Sequence, residues 1–363
     1  MLLILFFSSP IGLGHITRDI AIMDKLMQLY NYNNIGFVTG SAAYEFILNV
    51  NNSIDRNSMF ISNLYKPPDF SIIDGKLNNG FMWLLKYLYY YANCKKKLKD
   101  FLYSRGCPNI LFDLVISDED FAILSFTKHH DVKKIFITDV LNTQFGKSFL
   151  SSKFEKLLNN SMRSLINHSE CVIIPEIGED KDNFFYVGPI VREISNTRDE
   201  LRKKLSFNKK TVLVSTGGTN AGLYLLKKTI ESFSYLKNNN EYDLVILSSF
   251  GDTLPKLNQN CRYVGCANNG HEYVKAADLV ISLAGKSTVD ESLVYGTPGI
   301  FIPIQDHFEQ EHRAKLLGFK YDDVFKLVGL MEEKLSSTNP VETKKSKNGV
   351  FRAAKIIHKI LNY

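Results

Sequence analysis

Glycines and a histidine follow the first apolar run of the chain, in Gly12-Leu13-Gly14-His15-Ile16-Thr17-Arg18. Glycines let the backbone turn tightly where a helix begins, so His15 is expected beyond the carboxyl end of a buried strand. An imidazole titrates near neutral pH and can serve there as a general base. We therefore predict that His15 is catalytic; the alternative is a structural histidine that caps the helix.

Two further glycine-containing loops lie between a strand and a helix in the second half of the chain. In the first, Gly217, Gly218 and Thr219 expose backbone N–H groups at a helix start, which predicts a cradle for a diphosphate. The cradle lacks the lysine of a P-loop, which argues against ATP hydrolysis. The second loop, Ala284-Gly285-Lys286-Ser287-Thr288, leads to Glu291, whose carboxylate can accept both hydroxyls of a ribose. The alternative for such loops is a plain tight turn.

A third cluster, Ser117-Asp118-Glu119-Asp120, ends an apolar strand of the first half. Its carboxylates form a literal DxD pattern, and hard oxygen ligands suit Mg²⁺ or Mn²⁺. We favour a different reading without metal, in which Asp118 or Glu119 orients His15 or binds an acceptor. A polar strand end without a function is the remaining alternative.

Short apolar runs that do not alternate with polar residues must position these loops. Such runs are typical of parallel strands buried on both faces, and the helix-like stretches between them indicate an α/β fold. The predicted strands are Leu2–Phe7, Asn34–Val38, Leu111–Ser117, Lys134–Thr138, Cys171–Ile174, Thr211–Ser215, Tyr242–Leu247, Cys261–Val264, Asp278–Ser282 and Gly299–Pro303.

The pattern repeats in two halves, which predicts two doubly wound, Rossmann-like domains facing each other across a cleft. We place one domain at 1–190, which ends beside the hinge signal Gly188-Pro189, and a second at 191–348. A last amphipathic helix at 349–363 is expected to pack back on the first domain.

Bulk composition narrows the class of protein. The 363 residues carry a net charge of +6, without basic-aromatic RNA motifs or zinc signatures, so nucleic acid is not expected as a partner. Five cysteines without a CxxC pair indicate reduced thiols in a cytoplasmic protein. The apolar start is read as a first strand, and no apolar run approaches the ~18 residues that span a bilayer.

One stretch, Phe81 to Lys97, is apolar on nearly all sides, aromatic, and basic at its end. It is either a helix buried in the first domain or a surface that meets a membrane or a polyprenyl chain. The second reading predicts a peripheral contact with the cytoplasmic face of a membrane.

In order along the chain, the patterns GxGHxxR, GGT, AGxSTxxE, YGxP and DxxEQxxxA resemble glycosyltransferase family 28, which includes the bacterial lipid II synthase and related archaeal and dolichol-pathway enzymes. The resemblance implies a GT-B fold, a UDP-sugar donor on the second domain and an acceptor on the first. It assigns the ribose to Glu291, the acceptor or phosphates to His15, and the donor nucleotide-sugar generally to the second-domain loops. The implied residues are Val264 and Gly265 for the uracil, and Glu309 and Gln310 for the sugar. We further assign Gly12, Gly14 and Arg18 to an acceptor or phosphate loop, and Ala284, Gly285, Ser287 and Thr288 to binding of the donor nucleotide-sugar.

Together these observations predict a glycosyltransferase that moves a hexose or N-acetylhexosamine to a lipid-linked acceptor, with inversion and without a metal or other cofactor. Two alternatives share the same donor site: a UDP-sugar hydrolase or epimerase, and a non-catalytic subunit that binds a nucleotide sugar. Glu309 and Arg313 stand where family members usually have glutamine and asparagine, which leaves the donor sugar open.

Overall fold

A computed structural model describes residues 3–52, 59–104, 112–217, 220–250, 253–255, 257–336 and 345–362. The strands are β1 (Ile4–Ser8), β2 (Ile35–Thr39), β3 (Phe60–Asn63), β4 (Ile72–Ile73), β5 (Lys76–Leu77), β6 (Leu114–Asp118), β7 (Lys133–Ile137), β8 (Cys171–Ile174), β9 (Phe184–Tyr186), β10 (Lys210–Ser215), β11 (Tyr242–Leu247), β12 (Cys261–Gly265), β13 (Leu279–Leu283) and β14 (Gly299–Ile302). The helices are α1 (Gly14–Tyr30), α2 (Ser41–Asn52), α3 (Gly80–Ser104), α4 (Phe121–Thr127), α5 (Phe149–Ile166), α6 (Arg198–Leu205), α7 (Leu223–Ser234), α8 (Gly270–Ala276), α9 (Lys286–Tyr295), α10 (Phe308–Leu316), α11 (Leu327–Ser336) and α12 (Val350–Asn362).

The chain forms two compact units. Unit 1 comprises Met1–Pro68, Gly80–Arg192 and Asn348–Tyr363, and unit 2 comprises Asp69–Asn79 and Glu193–Lys347. The segment Asp69–Asn79, which the sequence placed within the first domain, thus groups with the second.

Unit 1 is built on a parallel sheet of seven strands in the order β3-β2-β1-β6-β7-β8-β9. Each of the predicted first-half strands forms, and β1, β2, β6 and β8 are buried at every residue. Because the strands are buried on both faces, their sequences show no polar alternation. Helices α1 and α12 pack together on one face, where Ile16, Ile20, Ala353 and Ile357 share one core.

Unit 2 contains a parallel sheet of five strands in the order β12-β11-β10-β13-β14. The predicted second-half strands all form. β10 and β13 are neighbours at the point where the strand order reverses, and Ser215 lies opposite Ser282 in the register. In open parallel sheets of this kind, ligands bind beyond the carboxyl ends of the strands at such a reversal.

A small antiparallel hairpin, β4-β5, joins unit 2 from the first third of the sequence. Its turn places Asp74 at φ 47° and Gly75 at φ 73°, the left-handed conformations that a two-residue hairpin turn requires. Leu77 donates its N–H to the Gln305 carbonyl at 2.8 Å, and Gln305 donates to the Gly75 carbonyl at 2.9 Å. The Tyr321 hydroxyl donates to the Asp74 carbonyl at 2.6 Å. The hairpin therefore braces the loop that precedes α10.

Candidate functional site

In unit 1, the ends of β1, β6 and β7 and the start of α1 bring together a histidine and four acidic side chains. His15 lies in the first turn of α1, and Asp118 ends β6, the strand beside β1. The Nδ1 atom of His15 is 2.8 Å from Oδ1 of Asp118. An Nδ1–H that donates to a carboxylate leaves Nε2 as the proton-accepting atom, which is the orientation that a general base needs.

Arg18 completes a buried ionic cluster around Asp118. Its Nε donates to Asp118 Oδ2 at 2.8 Å, a second guanidinium nitrogen donates to Oδ1 at 2.5 Å, and a third nitrogen contacts Asp139 at 3.2 Å. Arg18 is 6% exposed, and its positive charge is paired with the carboxylates of Asp118 and Asp139 inside unit 1. Such a fork-shaped, two-bonded contact fixes the carboxylate plane and hence the imidazole that bonds to it.

Glu119 follows directly and adopts a left-handed backbone conformation, with φ 54°. That conformation costs energy for a residue with a side chain, and here it turns the carboxylate back toward α1. One carboxylate oxygen accepts from the Thr138 hydroxyl at 2.8 Å, and the other lies 3.8 Å from Nε2 of His15. Both Asp118 and Glu119 therefore lie close to His15, and their roles toward it stay a prediction.

Charge and burial shift the titration of this cluster. Burial alone lowers the pKa of His15, but Asp118 and then Glu119 outweigh it and raise that pKa to about 9. Burial opposes ionisation of Asp118, yet Arg18 and His15 hold its pKa below the ordinary value. Burial, against the pull of His15, raises the pKa of Glu119 to about 7. The free cluster at neutral pH therefore holds an imidazolium beside an ionised Asp118.

Asp19 lies behind this cluster and was not identified from the sequence. It is fully buried, and it accepts a hydrogen bond from the hydroxyl of Ser8, the residue opposite Asp118 on β1. Burial and the nearby Asp118 charge raise its pKa well above the ordinary range. Asp19 lies four residues after His15 and therefore on the same face of α1. This spacing could have indicated from the sequence that Asp19 lies near the cluster.

The third residue of the DxD pattern has a structural partner. Asp120 caps α4, accepting from the N–H groups of Ala122 at 2.8 Å and Ile123 at 3.2 Å. Asp118 is engaged by His15 and Arg18, so the two aspartates do not converge on one point. Among the described residues, no group of three or more His, Cys, Asp or Glu side chains is arranged to hold a metal ion.

In unit 2, the two predicted donor loops emerge side by side from β10 and β13. Gly217 follows β10 with φ 71°, while Gly218 and Thr219 lie outside the described residues. Ala284 and Gly285 follow β13, and Gly285 is the residue before the first turn of α9. Among the described residues outside the immediate chain neighbours, no atom lies within 4 Å of where a Cβ on Gly217 or Gly285 would stand. Both loops thus leave room for a ligand at the backbone.

The first turn of α9 supplies donors for an anion. Ser287 and Thr288 lie in that turn, half-buried, with the N–H groups that an α-helix leaves without an internal acceptor. No acidic residue occupies this turn. Lys286 contacts Asp290 at 2.9 Å. Glu291 lies one turn further along α9 and is buried, with 8% of its surface exposed.

The remaining residues predicted to bind the donor lie along the same edge of the sheet. Val264 and Gly265 form the carboxyl end of β12, and Gly265 has φ 83°. Glu309 and Gln310 begin α10, after the loop that follows β14. Gln310 Oε1 accepts from the Ile304 N–H at 3.1 Å, so the amide NH₂ is the part of this side chain that can donate to a ligand hydroxyl.

Glu309 and Arg313, the two residues that depart from the family pattern, contact each other. Arg313 lies one turn after Glu309 on α10, and its guanidinium donates to the Glu309 carboxylate at 3.0 Å. The same nitrogen donates to the Ala284 carbonyl at 3.1 Å. Arg313 thereby connects α10 to the glycine loop after β13 and holds the Glu309 carboxylate in place.

Comparison with known proteins adds to this geometry. Residues 211–324 match the profile of the glycosyltransferase family 28 C-terminal domain. An uncharacterized glycosyltransferase of Methanopyrus kandleri is 26% identical over 216 residues, covering 56% of this chain and 60% of that protein. A UDP-N-acetylglucosamine–N-acetylmuramyl-(pentapeptide) pyrophosphoryl-undecaprenol N-acetylglucosamine transferase of Rickettsia felis is 29% identical over 171 residues, covering 43% of this chain and 47% of that enzyme. The matched segments thus span less than two thirds of these relatives' lengths.

Solved structures agree along nearly the whole chain. The glycotransferase of kitacinnamycin superposes with a TM-score of 0.62 at 15% identity, covering 99% of this chain and 100% of that one. A spinosyn rhamnosyltransferase superposes with a TM-score of 0.60 at 13% identity, covering 99% and 95%. These superpositions confirm the predicted GT-B fold, and the sequence matches confirm the resemblance to glycosyltransferase family 28.

Proposed function

We propose that this chain is a glycosyltransferase that transfers a hexose or N-acetylhexosamine from a UDP-sugar to a lipid-linked acceptor, with inversion at the anomeric carbon. The observation that carries the proposal is the pair of glycine loops after β10 and β13, which lie side by side at the sheet edge of the segment that matches family 28. In this proposal Glu291, one turn beyond the second loop, supplies the carboxylate that accepts hydrogen bonds from the ribose hydroxyls.

In this proposal the acceptor hydroxyl attacks the anomeric carbon as the bond from that carbon to the diphosphate oxygen breaks. His15 Nε2 takes the hydroxyl proton, and UDP leaves with the electron pair of the broken bond. Negative charge gathers on the diphosphate, and the backbone N–H groups at Gly217 and at the start of α9 stabilise it. Preorganised donors of this kind are worth about 3 kcal/mol each. The reaction requires no metal, so activity is expected to survive excess EDTA.

Asp118 holds the His15 imidazole in the required tautomer, and Arg18 holds Asp118. Because the pKa of His15 is about 9, only about 1% of it is neutral at pH 7 in the free protein. The general-base role therefore predicts that the rate of transfer rises with pH toward about 9.

A lipid-linked acceptor is supported by the name of the Rickettsia felis relative, which acts on a pyrophosphoryl-undecaprenol substrate. Peripheral contact with a membrane is part of the proposal. Among the described helices, none is long and apolar enough to cross a bilayer. The aromatic helix α3 turns Leu84, Cys94 and Leu98 into the core of unit 1 and leaves Met82 and Tyr89 exposed.

The test is to incubate the full chain with UDP-, GDP- and dTDP-sugars, first alone and then with a polyprenyl diphosphate-linked sugar, and to identify every product. Transfer to the lipid from a UDP-sugar is expected. Free sugar and UDP without acceptor would identify a hydrolase, and an isomeric UDP-sugar would identify an epimerase. Binding of a UDP-sugar, measured by a rise in melting temperature, without any product would identify a non-catalytic subunit.

A further inference from the structure

The β4-β5 hairpin of unit 2 holds the loop before α10 through the backbone of one residue, Gln305. Leu77 donates its N–H to the Gln305 carbonyl at 2.8 Å, and Gln305 donates its N–H to the Gly75 carbonyl at 2.9 Å. Lys76 and Gln305 thereby pair as a parallel β-bridge. Both the N–H and the C=O of Gln305 are bonded by the hairpin, so we expect the loop and the hairpin to move together.

A second contact joins the same segment of unit 2 to the residue before α10. Phe70 precedes the hairpin, and its ring centre lies 5.6 Å from that of His307, which is 7% exposed. Between Gln305 and His307, Asp306 has φ 68°. This left-handed conformation costs energy for a residue with a Cβ and persists only where the surroundings hold it. The segment therefore holds the loop on both sides of its strained residue.

The loop in turn orients side chains of α10. The Ile304 N–H donates to Oε1 of Gln310 at 3.1 Å, and the Asp306 N–H donates to Oε1 of Glu311 at 3.0 Å. These two N–H groups flank Gln305, the residue that the hairpin holds. A shift of Gln305 therefore shifts the partner of the Gln310 amide oxygen, and the amide NH₂ of Gln310 moves with it.

The turn of the hairpin rests on two stacked tyrosines. The ring centres of Tyr224 and Tyr321 lie 6.5 Å apart at an interplanar angle of 13°, and the Tyr321 hydroxyl donates to the Asp74 carbonyl at 2.6 Å. The Lys76 ammonium lies 5.5 Å from the Tyr321 ring centre. Gly75 has φ 73°, and a Cβ there would stand 2.7 Å from the Tyr224 ring, so both conformation and space require glycine. These contacts fix the turn on unit 2.

We propose that the hairpin is a positioning element for the donor sugar, which orients Gln310 toward the sugar hydroxyls and leaves recognition of UDP unchanged. This inference rests on the proposed function and on the assignment of Gln310 to the sugar. The residues assigned to UDP lie at the ends of β10, β12 and β13 and on α9, whereas the hairpin bonds to the loop after β14. Its effect is therefore expected in the affinity for a UDP-sugar relative to the affinity for UDP.

Two substitutions at one exposed position separate the conformation of the turn from its side chain. Asp74 has φ 47°, its side chain is exposed, and its carbonyl is the group that accepts from Tyr321. Asp74→Asn keeps the turn, because Asn-Gly also favours positive φ at both residues. Asp74→Pro breaks the turn, because the proline ring fixes φ near about −65°. Tyr321→Phe removes only the hydroxyl, and Tyr235→Phe, at a tyrosine of unit 2 that is 69% exposed, is its control.

The experiment is calorimetry of the full chain with UDP, UDP-glucose and UDP-N-acetylglucosamine, in the absence of an acceptor. In Asp74→Pro, affinity for the sugar nucleotide that the unaltered protein binds more tightly is expected to fall about tenfold, the order of one hydrogen bond to the sugar. In Tyr321→Phe, which loosens the turn without breaking it, the expected fall is about threefold. Affinity for UDP is expected to stay within about twofold in both, and Asp74→Asn and Tyr235→Phe should match the unaltered protein within about twofold for every ligand.

Hydrogen exchange tests the hold on the loop without any ligand. The backbone N–H groups of Ile304, Gln305 and Asp306 are expected to exchange at least about tenfold faster in Asp74→Pro than in Asp74→Asn, because the loop loses its bonds to the hairpin. Melting temperatures establish that each variant is folded, and Tyr321→Phe serves alone if Asp74→Pro is not.

Equal weakening of UDP and of the sugar nucleotide would overturn the proposal, because the hairpin would then only support the fold of unit 2. Unchanged affinity for the sugar nucleotide in the folded hairpin variants would overturn it as well, as would unchanged exchange of the loop in folded Asp74→Pro. If the unaltered protein binds neither UDP nor a sugar nucleotide, the proposed function fails and this inference fails with it. Binding of both with the same ratio of affinities in every variant refutes the role of the hairpin alone.

Discussion

The exchange Asp118→Asn tests the general-base assignment most directly, because it removes one charge and keeps the side-chain shape. Asp118 is the group that most raises the pKa of His15, through its charge and through the 2.8 Å hydrogen bond. The rise from 6.5 to about 9 corresponds to about 3 kcal/mol, since each tenfold change in proton affinity is worth about 1.4 kcal/mol. In the variant, burial and the Arg18 charge should bring the pKa of His15 to 6.5 or below.

Two measurements report this change. The pKa of His15 can be followed by NMR of the imidazole Cε1–H, with His15→Gln identifying its resonance among the eight histidines. The rate of transfer is then measured against pH. If neutral His15 accepts the proton, kcat/KM of the unaltered enzyme rises with pH toward about 9, and the midpoint in the variant moves down by the same amount as the NMR midpoint.

The maximum rate of the variant should also fall, by about 10²–10⁴-fold, since an asparagine amide no longer selects the tautomer with Nε2 free. Asp180→Asn serves as control, because Asp180 is a half-exposed carboxylate of unit 1 that pairs with Arg352 away from the cluster. Removing one partner of a buried ion pair can cost 3–5 kcal/mol of stability, so melting temperatures accompany every rate. If the midpoint of the pH–rate profile stays in place while the NMR midpoint moves, the reasoning is refuted. A rate that falls as the pH rises through 9 would also refute it, because an imidazolium that only stabilises the leaving diphosphate behaves in this way.

Three further predictions concern the donor loops and the charge cluster. Glu291→Ala should weaken UDP binding at least tenfold, since a charge-assisted contact is worth about 1.5–3 kcal/mol, while Glu231→Ala at the surface of unit 2 should not; calorimetry decides. Arg313→Met should raise KM for the donor more than it lowers kcat, because Glu309 loses its fixed orientation and α10 its contact with Ala284; equal losses in both would contradict a positioning role. The pKa of His15 in the folded protein lies above its unfolded value, so the contribution of His15 to stability is full below pH 6.5 and is lost as the pH rises through 9. Over that window, the free energy of unfolding measured in urea should decline less steeply with pH in His15→Gln than in the unaltered protein.

The strands were predictable because strands buried on both faces have continuous apolar sequences without polar alternation. Each of the ten apolar runs forms a strand of the two parallel sheets, and the glycine loops follow them as expected. β3 (Phe60–Asn63) and β9 (Phe184–Tyr186) were missed. Both lie at the edges of the first sheet, where partial exposure shortens a strand and admits polar residues such as Asn63.

The hairpin shows a different limit. Ile72-Ile73-Asp74-Gly75-Lys76-Leu77 carries the Asp-Gly signal of a two-residue turn, so its local structure could have been read from the sequence. Its membership of unit 2 could not, because that depends on packing across more than 200 residues of chain. A Cβ on Gly75 would stand 2.7 Å from Tyr224, and the carbonyl of Asp74 accepts from Tyr321. Neither tyrosine is distinguished by any local pattern.

The charge cluster in unit 1 shows why a site is harder to predict than its loops. His15 and Asp118 were identified because each follows a strand, and parallel strand ends meet at one sheet edge. Asp139 also follows a strand, β7, so the same rule would have found it. Asp19 lies within α1, where an aspartate normally faces solvent, and only the close approach of Ser8 and Asp118 buries it. Its consequence is electrostatic: burial and the charge of Asp118 raise the pKa of Asp19 well above its ordinary range, which opposes a second negative charge beside Asp118.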